Sequence, residues 1–271
     1  MTILPEDGQV RGGVYLCQTG PCVSCGSCCG LYNVAGLSRQ RLRALLDDRT
    51  RAFAEVPRTI DSILAFERHR LEHEGTDYPT DDFHHCVFVG LIHDGGERVG
   101  CLLHPLALGN GGVDWRGLSF YGGAACKHFF CPTYDNLEPR WKRLVRSLLE
   151  DWYEYGLVIP EHRFLNAVLE ELEARLGFSL DVEELREDGK NAIRNILRLK
   201  LDWPWRAPHA PLAWNFFSTR STARPPFAGE TGNMRLHAIM RELDTLPEHA
   251  AEACGMLGAL FAQAAAALAR T

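Results

Sequence analysis

The sequence predicts a mainly α fold of the α+β kind. An irregular, cysteine-rich metal-binding module with a small β-hairpin, residues 14–135, is expected to pack on a helical region, residues 136–271. Three observations lead there. Apolar residues beyond Pro139 recur at helical spacing. Two runs of strand formers, "CVFVGLI" and "RVGCLL", are joined through "HDGGE". Nine of the ten cysteines precede residue 132, and seven of the eleven histidines lie between His69 and His128, so the metal-ligating side chains gather in one half of the chain.

The elements follow in order. Leu37 and Leu42 around Ser38 have the pattern of a hydrophobic staple about an N-cap, which opens a first helix. Ile60, Ile63, Leu64 and Leu71 mark a second. In the hairpin, a two-residue turn at Asp94-Gly95 would pair His93 with Gly96. It would set Phe88 opposite Cys101 and Cys86 opposite Leu103, with Cys86 and Cys101 on one side. Trp141, Leu144, Val145, Leu148, Leu149 and Trp152 share one helical face. Phe164, Leu165, Val168, Leu169, Leu172 and Leu176 repeat the pattern, and Gly177 stops it. Asp181 with Glu184 reads as a capping box for a helix that buries Leu185, Ile193, Ile196 and Leu197. Leu236, Ile239, Met240 and Leu243 form another helix, ended by Pro247, and a last one runs from about Glu248 to Leu268. Between Leu201 and Gly232 there is no clear period, five prolines and three tryptophans. That reads as an extended segment wrapped over the helices, with a ligand-binding lid as the alternative.

Composition sets bounds. A chain of 271 residues, 46% hydrophobic and 24% charged, buries a core without covalent help. A net charge of −6 gives no electrostatic reason to expect nucleic acid. The opening "MTILPEDGQVRGG" lacks the basic start and apolar core of a signal peptide, so the cytoplasm is the expected compartment. The stretch Ala253–Ala269 is rich in alanine and interrupted by Gln263, and reads as a buried helix rather than a membrane span. In a reducing compartment ten cysteines point to metal or redox chemistry more than to disulfides.

The densest thiol run is "PCVSCGSCCG". Cys22-x2-Cys25-x2-Cys28 is tight ligand spacing, since two intervening residues let both sulfurs reach one centre across a turn. Cys29 is the odd member: neighbouring side chains are expected to project apart, so Cys28 and Cys29 would serve different metals. Cys126-x4-Cys131 offers a further pair, and Cys86 and Cys101 two more. The eight metal-ligand candidates are therefore Cys22, Cys25, Cys28, Cys29, Cys86, Cys101, Cys126 and Cys131, divided into two four-cysteine sites or joined in one polynuclear cluster. Cys17, five residues ahead, reads as a bystander with ligation the alternative, and Cys254 as a small buried hydrophobe. His104 reads as a neighbour of the site rather than a ligand. Asp81, Asp82, His84 and His85 read as a solvated polar loop, with an annex to the metal site as the alternative.

The run Cys22-x2-Cys25-x2-Cys28-Cys29, the separated single cysteines and the closing Cys126-x4-Cys131 resemble the CxxCxxCC cysteine-cluster family, described as a zinc- or iron-chelating domain. Flagellin lysine-N-methylases have a similar cysteine pattern. The resemblance covers residues 15–134 and implies a multi-cysteine site for zinc or iron, an iron–sulfur cluster included. Three functions are then weighed. The first is a metal-binding protein with a chemical role for its centre. The second is a structural zinc module presenting an interaction surface. The third is an iron–sulfur-dependent enzyme such as a protein lysine methyltransferase, which rests on the resemblance alone, since no glycine-rich nucleotide fingerprint is present. The expected partners are metal ions and a protein partner or protein substrate, with neither nucleic acid nor membrane. No catalytic residue can be assigned from the sequence.

Overall fold

Ser38 does open a helix: its hydroxyl accepts from the Arg41 N–H, capping α1, Arg39–Ala54. The structure, a computed structural model, describes residues 3–75, 78–79, 83–92, 98–208, 210–213 and 233–269. Thr59 caps α2, Ile60–Glu74, in the same way. The buried face of α2 is Ile63, Phe66 and Arg70, while Ile60, the first residue of the helix, is 56% exposed.

Two short strands follow, β1 (Val89–Leu91) and β2 (Val99–Cys101), antiparallel. Val89 faces Cys101, Gly90 faces Gly100 and Leu91 faces Val99. This register is one residue from the expected one, in which Phe88 opposed Cys101. The reason is local. The Val89 N–H bonds back to the Cys86 carbonyl at 3.4 Å, so Cys86–Val89 is a turn and pairing starts only at Val89. The Asp94-Gly95 turn and the His93 to Gly96 pair lie outside the described residues.

Beyond a short helix α3 (Gly122–His128) and a single turn α4 (Thr133–Asn136), the chain is helical: α5 Pro139–Leu148, α6 Trp152–Val158, α7 His162–Leu176, α8 Glu187–Asp202, α9 Met234–Glu242 and α10 Ala250–Leu268. The face expected to run unbroken from Trp141 to Trp152 is divided between α5 and α6. The Asp151 carboxylate caps a new helix by accepting from the Tyr153 and Glu154 N–H groups, at 2.8 and 3.0 Å. Helix α8 starts at Glu187, later than the Asp181–Glu184 pattern suggests. Asp181 caps only a turn, accepting from the Glu183 N–H at 3.0 Å. Helix α7 ends at Gly177 as expected, with φ 75°. Within the stretch from Leu201 to Gly232, positions 209 and 214–232 lie outside the described residues. Trp203, inside them, is buried and donates to the Thr245 hydroxyl.

Helix α10 sits on α7, α8 and α9 and buries Ala253, Leu257, Phe261, Ala264 and Leu268. The span Pro247–Leu268 is long and apolar enough to cross a membrane by length and composition. Its buried residues nonetheless form one stripe, as in a helix laid on a core. Cys254 is partly buried against the same core, in line with its reading as a small hydrophobe.

The buried apolar side chains form two cores, and neither stops at residue 135. One combines Val14, Leu16, Tyr134 and Leu137 with the helices α5–α10, α6 contributing Tyr155 and Val158. The other combines Leu31, Leu42, Phe53, Phe88 and Leu103 with Trp152, Tyr153 and Leu157. Helix α6 therefore serves both. At about 1.5–3 kcal/mol of transfer free energy for each fully buried large side chain, both cores are driven by the same term. Cys17, Cys25 and Cys131 pack against the first core, Cys86 belongs to the second and Cys29 and Cys101 pack against it, so the cysteine-bearing segments run along the seam between the two.

Candidate metal centre

The first thiol-bearing element is a tight loop. Gln18 and Ser24 form an isolated antiparallel bridge, and the Cys25 N–H donates to the Cys17 carbonyl at 2.8 Å. The Thr19 and Gly20 N–H groups both reach the Val23 carbonyl. Cys17 and Cys25 thus flank the neck of the loop, and Cys22 lies in the excursion between them. Two side chains bolt the neck to β2. The buried Ser24 hydroxyl accepts from the Val99 N–H at 2.9 Å, and the Gln18 amide donates to the Val99 carbonyl at 2.8 Å.

The chain then enters a 3-10 turn, Ser27–Cys29, ended by Gly30 at φ 73°. Glycine is required here on two counts. The left-handed backbone disfavours a side chain. A Cβ would also sit 2.9 Å from the His85 Cα and closer still to the His84 carbonyl oxygen. That close approach is a clip: the Cys86 N–H donates to the Cys29 carbonyl at 2.9 Å, and His85 Nδ1 lies 2.7 Å from the Gly30 carbonyl.

His85 is not solvated, contrary to expectation; it is buried. Its carbonyl partner at Nδ1 can only accept, and its guanidinium partner at Nε2, Arg49 at 2.7 Å, can only donate. The ring is therefore the neutral tautomer with its proton on Nδ1. Burial, and then the charge of Arg49, hold it at about 3, well below the usual imidazole value. Arg49 is itself fully buried, paired with Glu74 and donating to the Cys86 carbonyl at 3.1 Å. His84 stacks on Phe120, with ring centroids 3.9 Å apart. Asp81 and Asp82 lie outside the described residues.

The remaining thiols arrive from β2 and from the segment ahead of α4. The Ser119 hydroxyl lies 3.2 Å from the Cys126 sulfur, and the Tyr121 hydroxyl donates to the His84 carbonyl at 3.0 Å. Arg116, buried and paired with Asp114, stands close enough to Cys101 and Cys126 that negative charge on either would hold its guanidinium higher still. His104 caps its own turn: its Nδ1 accepts from the Leu106 N–H at 3.2 Å.

The sulfurs fall into two neighbouring groups. Cys17, Cys25, Cys28 and Cys131 line one pocket of about 30 Å³, walled by Leu16 and Ile159 among others. That is room for about two waters. Burial first, and then neighbouring thiolates, push Cys17 up to about 12 and raise Cys25 and Cys131. Cys29, Cys86, Cys101 and Cys126 form the second group. Cys86 and Cys101 are each pushed up to about 12, mainly by burial, with Cys126 charge adding to both. Despite the shifted register, charge on Cys86 adds to what burial does to Cys101, so the two thiols are neighbours.

Cys28 and Cys29 join the groups. Their sulfurs are 4.0 Å apart, with Cys28 held low by its bond from Cys29. Their side chains do not diverge as expected, because the 3-10 turn curls them together. Four sulfurs about 2.3 Å from a tetrahedral zinc lie about 3.8 Å from one another, so this pair already spans nearly one such edge. Among the described residues no three histidine, cysteine or acidic side chains are poised round a common point. The thiols are gathered but not converged.

Of the eight cysteines singled out from the sequence, seven enter this band, and Cys22 neither lines the pocket of the first group nor sits at the loop neck. Cys17 enters instead. The Gly20-Pro21 step that turns the loop was the sequence signal that could have found it. Nothing in the sequence marked Arg49, Arg116 or Tyr134. No protein-family model matches the chain, and neither a curated protein nor a solved structure matches it, so the reading of this band rests on its own residues.

Proposed function

We propose that the chain is a metal-binding protein holding zinc or iron, an iron–sulfur cluster included, on a multi-cysteine site. One observation carries this: Cys17, Cys25, Cys28, Cys29, Cys86, Cys101, Cys126 and Cys131, far apart in the chain, are drawn to one seam between two hydrophobic cores. As mere fillers of that seam these residues would be small hydrophobes, a task alanine or valine performs without reactive thiols.

The donor set fits a soft cation. Thiolates suit zinc, copper(I) and iron–sulfur clusters, whereas magnesium and calcium are held by oxygen ligands. Burial keeps most of these thiols protonated in the metal-free chain. A cation would reverse that and release protons, so affinity would rise with pH. Arg116 beside Cys101 and Cys126, and Lys142 near Cys131, place cationic charge where a thiolate-rich centre needs it.

The test is metal analysis together with an absorption spectrum of protein purified without oxygen. Bound zinc in a colourless protein, or iron with broad visible absorption, supports the reading. A chain that neither carries metal nor takes up zinc or iron under reducing conditions would overturn it.

A further inference from the structure

We propose that Cys17, Cys25, Cys28 and Cys131 form a four-thiolate site for a soft divalent cation such as zinc, in which Cys17 holds the place that the Cys-x2-Cys-x2-Cys spacing gives to Cys22. This rests on the metal-binding reading above and adds the ligand set of one end of the band.

Three features carry it. The four sulfur-bearing residues line the same pocket, whose volume of about 30 Å³ is room for about two waters. Cys17 and Cys25 are locked across the loop neck by the Cys25 N–H to Cys17 carbonyl bond, whereas Cys22 is carried away in the loop. Finally, the Tyr134 hydroxyl is committed to Cys17. It accepts from the Leu16 N–H at 2.8 Å, which leaves its own proton to donate to the Cys17 sulfur 3.3 Å away. A donor aimed at a sulfur from outside the ligand set is what thiolate ligands to metals require. The buried Lys142, bonded to the Tyr134 carbonyl at 2.5 Å, backs the same wall with positive charge. On binding, the four side chains turn inward about χ1. Each S–H gives its proton to solvent as its sulfur bonds the cation, and no oxidant or reductant is involved.

The experiment uses the full, reduced chain with cobalt(II) as the probe. Thiols are alkylated with and without the metal and mapped by mass spectrometry. Protection of Cys17, Cys25, Cys28 and Cys131, with Cys22 labelled as fast as in the metal-free chain, is the expected result. Protection of Cys22 with Cys17 left reactive overturns the assignment. The variants Cys17→Ser and Cys22→Ser give a second readout. Cys17→Ser should lose one cobalt ion per chain and weaken the sulfur-to-cobalt charge-transfer band; Cys22→Ser should keep both. Because the alkylation map uses the unaltered chain, it decides even if Cys17→Ser does not fold. Failure of the unaltered chain to take up any cobalt defeats the metal-binding reading itself. Uptake with Cys22 protected defeats only the ligand assignment.

Discussion

Replacing Gly30 by alanine isolates the clip that holds the Cys28-Cys29 turn against His84–Cys86. Two penalties are expected. The backbone at φ 73° costs an alanine about 1–2 kcal/mol. The new Cβ would overlap the His84 carbonyl oxygen, which cannot give way as a flexible side chain would. Relieving that overlap moves His84–Cys86 off the turn. It weakens the Cys86 N–H to Cys29 carbonyl bond and the His85 to Gly30 carbonyl bond, each worth about 1 kcal/mol. The total is about 3–4 kcal/mol. Gly177 supplies the control. It has nearly the same φ, 75°, but nothing within 4 Å of its would-be Cβ, so Gly177→Ala should lose only the backbone share, about 1–2 kcal/mol. Urea denaturation of both variants, reduced and with chelator present, measures the difference. Equal losses would refute the claim that close approach at Gly30 positions the thiols.

Other outcomes follow from the same residues. Between pH 6.5 and about 3 an unfolded imidazole is protonated while folded His85 is not, so the unfolded state binds more protons there. His85 should therefore make the metal-free chain lose stability as pH falls below 6.5, with a limiting slope of about 1.4 kcal/mol per unit. Replacement by glutamine should flatten the curve between pH 6.5 and about 5, and an unchanged slope would rule out a neutral buried ring. Arg49→Met strands Glu74 and the Cys86 carbonyl and should cost about 3–5 kcal/mol in chemical denaturation. A loss under about 1 kcal/mol would mean the pair is solvated. Chelation of metal-loaded protein should lower hydrogen-exchange protection in residues 14–30, 84–92, 98–103 and 116–134 while sparing α7 and α8, whose apolar faces pack mainly on one another and on α9 and α10. Uniform loss across the chain would show that the thiol band does not unfold apart from that core.

The helices were legible because their signals are local. Ser38 as a cap, the apolar stripe of α7 and its stop at Gly177 are all written in spacing alone. What misled was competition between local signals. Asp151 caps a new helix inside a stripe that periodicity alone reads as continuous. The turn at Cys86 shortens β1 and shifts its register by one residue. The site was legible as a set of thiols but not as an arrangement. Spacing counts Cys22 with Cys25 and Cys28, whereas the bridge between Gln18 and Ser24 brings Cys17 to Cys25 and takes Cys22 out. Neighbouring Cys28 and Cys29 were expected to diverge, and a 3-10 turn instead sets them side by side. The supports were not legible at all. Arg49 lies on α1, His85 far along the chain, and only the fold makes them partners.

On the reading proposed above, the thiols gathered at the seam hold metal. Native mass spectrometry of the unaltered chain, purified without oxygen, tests it most directly. The expected result is a mass raised by bound zinc or iron, offset by the protons lost from ligating thiols, and returned to that of the bare chain by a chelator. A chain found at its bare mass, and left there after incubation with zinc or with iron and sulfide under reducing conditions, would contradict it.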